Sequence, residues 1–155
     1  MAPGARWPRS RLDSRALTTV GSMAPAAALY RQLADEASGS GPGLADWCRV
    51  CACGAEGNAP GLSGAVTPAL KAFLATNNPL WAVPLVGSHA LVGLKEEAMD
   101  WIERLFARGF ADYPHLTRDP LLANLRGFTR FERFLPVAKA KWEDVARQLA
   151  DLPPL

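Results

Sequence analysis

LWAVPLVGSHALVGLKEEAMDWIERLFARG, residues Leu80 to Gly109, is the stretch on which the fold class turns. Its first half, Leu80 to Val92, carries Trp81, Leu85, Val86, His89, Ala90 and Val92 and is apolar nearly all round, the pattern of a helix sandwiched between neighbours. Pro84 fits the first turn if the helix begins near Val83, since the missing N–H has no intrahelical acceptor there, but would kink a helix that begins at Leu80. Gly93 supplies a left-handed stop. A second helix, Lys95 to Arg108, then gathers Ala98, Ile102, Leu105 and Phe106 on one stripe, with Trp101 at its margin. Lys95, Glu96, Glu97, Asp100, Glu103, Arg104 and Arg108 occupy the solvent side. A connection this short leaves the two helices antiparallel, and Gly109 ends the second.

Downstream, Phe110 and Tyr113-Pro114 form an aromatic elbow. Asp119-Pro120 reads as an N-cap with proline at the first helical position, followed by Leu121, Leu122 and Leu125. The last helix, about Arg130 to Leu149, places Phe131, Phe134, Leu135, Ala138, Trp142, Val145 and Leu149 on one side, with a bend expected at Pro136. Upstream, Thr67 caps a helix that starts at Pro68 and carries Leu70, Phe73 and Leu74 before Asn77-Asn78-Pro79. Nothing alternates with period two, so the fold reads as all-α. Short helices are expected at Ala26 to Ala37 and Leu44 to Ala55. The glycine runs Ser38 to Gly43 and Gly57 to Gly64 read as linkers. The chain therefore divides into a low-complexity, largely flexible region, 1–64, and a helical domain, 65–150.

The chain has 155 residues, enough for one ordinary core. Its 17 basic and 15 acidic side chains leave a formal charge of +2, which gives no footprint for a nucleic acid. Arg6, Arg9, Arg11 and Arg15 make the opening basic, but no apolar core or cleavage site follows, and a loose tail is the reading; Met23 is an alternative start. No window offers the uninterrupted apolar run, about 18 to 20 residues, that crosses a bilayer. A soluble, cytoplasmic protein without cofactor is expected.

Leu85, Gly93, Glu96-Glu97-Ala98 and Ile102 fall at the large, glycine-turn, small and large spacing of a tetratricopeptide repeat, which Leu85 to Ala107 resembles. Ala82, Val86, His89 and Leu105 stand where that family usually has an aromatic, a small residue, tyrosine and alanine. Arg108 to Pro114, Asp119-Pro120-Leu121, Leu125-Arg126 and Arg130-Phe131 resemble the terminal segment of tetratricopeptide arrays in bacterial multi-domain regulators. The resemblance implies an antiparallel helical hairpin with a C-terminal capping helix, acting as a non-catalytic protein-interaction module that binds a peptide or partner domain. Stacked repeats need about three units, so the alternative it implies is a remnant: the non-catalytic C-terminal part of a serine/threonine kinase or transcriptional regulator.

The docking surface is expected along Leu80 to Val92 and its neighbours. His89 and Trp81 are contact candidates there. Arg104, Arg108, Arg126 and Arg130, with Arg133, make the closing region locally basic, which reads first as a solvated helix face and, as the alternative, a surface that receives an acidic peptide or a carboxylate. Cys48, Cys51 and Cys53 offer a C-x-x-C spacing suited to zinc or redox chemistry, but a structural zinc wants four ligands and no second cysteine pair exists, so buried apolar cysteines are the preferred reading. His89 and His115 have no nucleophile at an interpretable spacing, and the glycine runs lack the Lys-Ser/Thr of a phosphate loop. No catalytic residue is assigned.

Overall fold

A computed structural model describes residues 23–150. Eight α-helices follow in order among them: α1 (Ala24–Ala37), α2 (Pro42–Glu56), α3 (Ala59–Ala65), α4 (Pro68–Thr76), α5 (Val83–Leu91), α6 (Lys95–Ala107), α7 (Tyr113–Arg118) and α8 (Thr129–Ala150). Two 3-10 turns, Pro79–Ala82 and Pro120–Leu125, precede α5 and α8. No strand occurs among the described residues. The all-α expectation holds.

The helix boundaries follow from local chemistry. Thr67 Oγ1 accepts the Leu70 amide at 3.1 Å and Pro68 opens α4, as expected. Pro84 lies in the first turn of α5 because that helix starts at Val83. Gly93 has φ +81°, and the two amides that follow α5 turn back onto it, Leu94 N–H to the His89 carbonyl at 2.9 Å and Gly93 N–H to Ala90 at 3.2 Å. This six-to-one, five-to-two pair is the Schellman ending, and it satisfies carbonyls that the helix leaves open. Asn124 Nδ2 donates to the Ala90 carbonyl at 3.0 Å and completes the cap from 34 residues away.

α5 and α6 pack on each other across the Val92–Leu94 link, and α5 is also covered by α2 and by the Pro120–Leu125 turn. Every residue from Leu85 to Ala90 is buried. On α6, Ala98, Met99, Trp101, Ile102 and Leu105 are buried; Trp101, expected at the margin, lies inside. Leu122, Leu125 and Phe131 close the far side of the same core. α8 runs unbroken through an exposed Pro136 as one helix.

The expected division of the chain does not describe residues 24 to 64. α1 packs along α2, and α2 packs on α3, α4 and α5. Val50, Cys53, Leu62 and Ala65 belong to the same apolar cluster as Leu85, Ile102 and Phe131. The cause is side-chain size. α2 presents Gly43, Ala45, Cys48, Val50, Cys51, Ala52, Cys53 and Gly54 inward, all buried, and helices cross closely where side chains are small. At Gly54 the approach leaves no room for a side chain: a Cβ there would stand 2.5 Å from Cβ of Ser88 on α5. The run Gly57 to Gly64, expected as a break, contains α3, capped by Asn58 Oδ1 accepting from Gly61 N–H at 2.9 Å. The first 22 residues, including the arginines of the opening segment, lie outside the described residues.

Candidate functional site

The Pro79–Ala82 turn carries two of the large apolar side chains that the core leaves bare. Asn78 Oδ1 accepts the Leu80 amide at 3.0 Å and fixes the turn. Leu80 is 53% and Trp81 38% exposed. Beneath them lies an aromatic chain drawn from three other helices: Trp81 meets Trp47 edge-on at 5.1 Å and Phe73 at 5.5 Å, and Trp47 meets Tyr30 at 6.0 Å. Such edge-to-face pairs add about 0.5–1.5 kcal/mol each beyond the area they bury. Trp47 Nε1–H donates to the Trp81 carbonyl at 2.6 Å, tying the turn to α2. Burial, with Cys51 and Cys48 adding to it, pushes the Tyr30 phenol up to about 12, so it stays neutral. Trp47, Asn78, Leu80 and Trp81 line an open depression that no charged side chain enters. It is an uncharged shelf, apolar but for Asn78.

The other expected contact residues do not join it. His89 is 2% exposed, and its Nδ1–H donates to the Leu85 carbonyl at 2.7 Å, with the ring 6.4 Å from Trp101. Burial lowers its pKa, against the opposing pull of the Leu85 bond and Glu97. A helix apolar on every side is buried on every side, so most of the residues expected to form the docking surface are enclosed. Only the turn before α5 stands well into solvent.

Four of the five arginines already have a task, while Arg133 is exposed and in no ion pair among the described residues. Arg108 donates to the carbonyls of Leu74 at 2.8 Å and Asn77 at 2.9 Å, closing the C-terminal end of α4 just before the shelf. Arg104 stacks over Trp101 at 4.9 Å. Arg126 reaches the Thr117 carbonyl at 3.4 Å. Arg130 is forked among Glu96, Asp100 and Glu103, each at 2.9 Å, and so fastens the start of α8 to α6; the bonds to Glu103, Glu96 and Asp100 hold its guanidinium more firmly charged. Most of the basic closing region is therefore engaged within the fold, and only Arg133 stays free of a partner there.

Cys48, Cys51 and Cys53 are free and buried. Burial raises all three thiols, Cys51 most, although Ser88 bonds to it and Arg49 and Arg31 pull Cys48 and Cys53 the other way. A protonated, enclosed thiol is a poor nucleophile and a poor ligand. Among the described residues no three His, Cys, Asp or Glu side chains come together as a metal site. His115 lies 3.5 Å from Asp119 and against Phe110, beside the Asp112 cap of α7. No helix is long and apolar enough to cross a membrane among the described residues.

Sequence reasoning missed the support of the shelf. Tyr30 and Trp47 sat in segments assigned to a flexible region, and their link to Trp81 spans 34 residues at the Trp47 bond. No protein-family profile, characterised protein or solved structure matches this chain.

Proposed function

We propose that the protein is a non-catalytic interaction module that seats an apolar side chain of a peptide or partner domain on the Leu80–Trp81 shelf. One observation carries this reading: two large apolar residues stand in solvent on a turn braced from beneath by three aromatic rings. Exposed aromatic anchors on rigid supports bind at low conformational cost, because little is left to be ordered. The shelf carries no charge, so an aromatic or branched aliphatic side chain suits it better than an acidic peptide.

The tetratricopeptide-like reading belongs to the same proposal. It is supported by the α5–α6 pair, its Schellman turn at Gly93 and the fully buried Ala98 at the small position. In this reading α7 and α8 form the closing cap. Three free thiols fit a reducing, cytoplasmic setting.

Selection from a phage-displayed random peptide library tests the reading. Recovered peptides are expected to share one large apolar residue and to change the tryptophan fluorescence of the protein. Leu80→Asp and Trp81→Ala should each weaken them at least about tenfold, the effect of losing one anchor, while Val137→Asp should not. Peptides that bind Leu80→Asp as tightly as the parent chain would sink the proposal.

A further inference from the structure

α2 is held on its two sides in different ways. Gly43 and Gly54 meet Phe73 of α4 and Ser88 of α5 so closely that a Cβ at either would stand 2.5 Å from the neighbour's Cβ. About 160° round the helix, at 100° per residue, Ala45, Cys48 and Ala52 follow one another at three- and four-residue steps, all buried. α1, whose main neighbour is α2, covers that face. Ala27, Ala34 and Ala37 are the only buried residues of α1. None of these six residues belongs to the apolar cluster of the core. The seam between α1 and α2 is therefore a layer of its own, made of methyl groups and the Cys48 thiol.

Apolar burial stabilises in proportion to the area hidden, and an alanine hides one methyl group. The larger apolar residues of α1, Leu29, Tyr30 and Leu33, are only half-buried. A two-pronged ion pair adds to their hold, Arg31 Nε and Nη2 donating to the Glu56 carboxylate at 2.8 and 2.6 Å. It faces solvent, so salt screens it. The link to α2, Ser38 to Gly41, has nothing packed at its glycines: a Cβ at Gly39 or Gly41 would find no atom within 4 Å, and Gly41 has φ +136°. A change of direction at these glycines disturbs no packing. Elements tied down by few buried apolar contacts open locally at less cost than the whole fold.

We propose that α1 is a hinged cover: it swings away from α2 about Ser38 to Gly41 while α2 to α8 stay packed, and the open form bares Cys48. In the closed form that thiol is 4% exposed. Opening also takes Tyr30 from Trp47, so one ring leaves the aromatic chain beneath Trp81. The position of α1 and the support of the Leu80–Trp81 turn are thereby linked, whatever the turn binds.

Labelling of the folded full chain with a water-soluble maleimide, read at each cysteine by peptide mass spectrometry over urea concentrations below the unfolding transition, tests this. Cys48 is expected to react at least about tenfold faster than global unfolding, measured by urea titration, would allow. Its rate should also rise less steeply with urea than global unfolding does, since less surface is bared. Ala34→Asp sets a charge in the seam and should speed Cys48 labelling at least about tenfold, while circular dichroism still shows one cooperative urea transition. Arg31→Ala, at an exposed position, removes the ion pair and should speed labelling about twofold. Labelling of Cys48 that tracks global unfolding overturns the proposal, because α1 then leaves only with the whole fold. A rate indifferent to urea and to both variants overturns it as well, because the reagent then reaches the thiol without α1 moving. Loss of the cooperative transition in Ala34→Asp overturns it too, by making α1 part of the core.

Discussion

α2 and α8 are opposites in what their sequences advertise and in where the fold puts them. α2, PGLADWCRVCACGAE, has two glycines and few large apolar residues, yet it lies against α1, α3, α4 and α5. α8 has the strongest apolar stripe in the chain, yet only Phe131 and Ala138 are buried. Small side chains allow a helix to be enclosed from several directions at close range, whereas a stripe of large ones is buried only as far as there is a neighbour to meet it. Hydrophobicity alone therefore misplaces the centre of this molecule.

The sharpest way to break that comparison is to remove the half that looks dispensable. A chain beginning at Val66 loses α1 to α3 and uncovers α5, and it is expected to retain helix by circular dichroism but to lose a cooperative thermal melt. A sharp melt at the parent temperature would show that α2 is an accessory. Within α8, Phe131→Ala should cost about 3–5 kcal/mol, the range for emptying a buried aromatic site. Trp142→Ala should cost far less, about 0.5 kcal/mol, because that side chain is exposed. Urea titrations of the two variants check both values, and similar losses would erase the distinction between the inner and outer halves of the helix.

Gly54→Ala sharpens the account of α2. Alanine is the better helix former by about 1 kcal/mol, but the new Cβ meets Ser88 Cβ at 2.5 Å and its Cα at 2.7 Å. The clash should win, with a net loss of about 1–3 kcal/mol; a gain in stability would mean that the α2–α5 crossing opens easily. The smallest effect is that of acid on α5. Burial sets the His89 pKa below its ordinary value of 6.5, so the unfolded chain takes up a proton that the folded chain refuses. Its contribution to stability is complete above about pH 6.5 and is lost as pH falls toward the folded value. Urea midpoints at pH 7.5 and 5.5 should differ in that direction, and His89→Gln should reduce the difference.

What could be read from the sequence was punctuation. Thr67-Pro68, Pro84, Gly93 and Gly109 bound α4, α5 and α6 as expected, because caps and left-handed stops act within a few residues. The helices expected at Ala26 to Ala37 and Leu44 to Ala55 are present as α1 and α2; α3 was obscured because proline and glycine also open helices, and the burial of α2 was obscured because its glycine is a means of approach to a neighbour. Of the shelf, Trp81 was legible as an aromatic next to a proline turn; its bracing by Tyr30 and Trp47 was not, since nothing local links residues that meet only after α1 and α2 have packed. The arginines showed their sign but not their acceptors, which lie 27 to 34 residues away for Arg130 and 31 to 34 for Arg108.

The Arg130 fork also makes the hold of α8 on α6 depend on salt. One cation is set among Glu96, Asp100 and Glu103, and each of those carboxylates is more exposed than the guanidinium they hold. Three carboxylates share one guanidinium in that fork, and Arg133 stands on the same face. Salt screens exposed charges over about 10 Å at 0.1 M, so the clasp between α6 and α8 is expected to loosen as ionic strength rises.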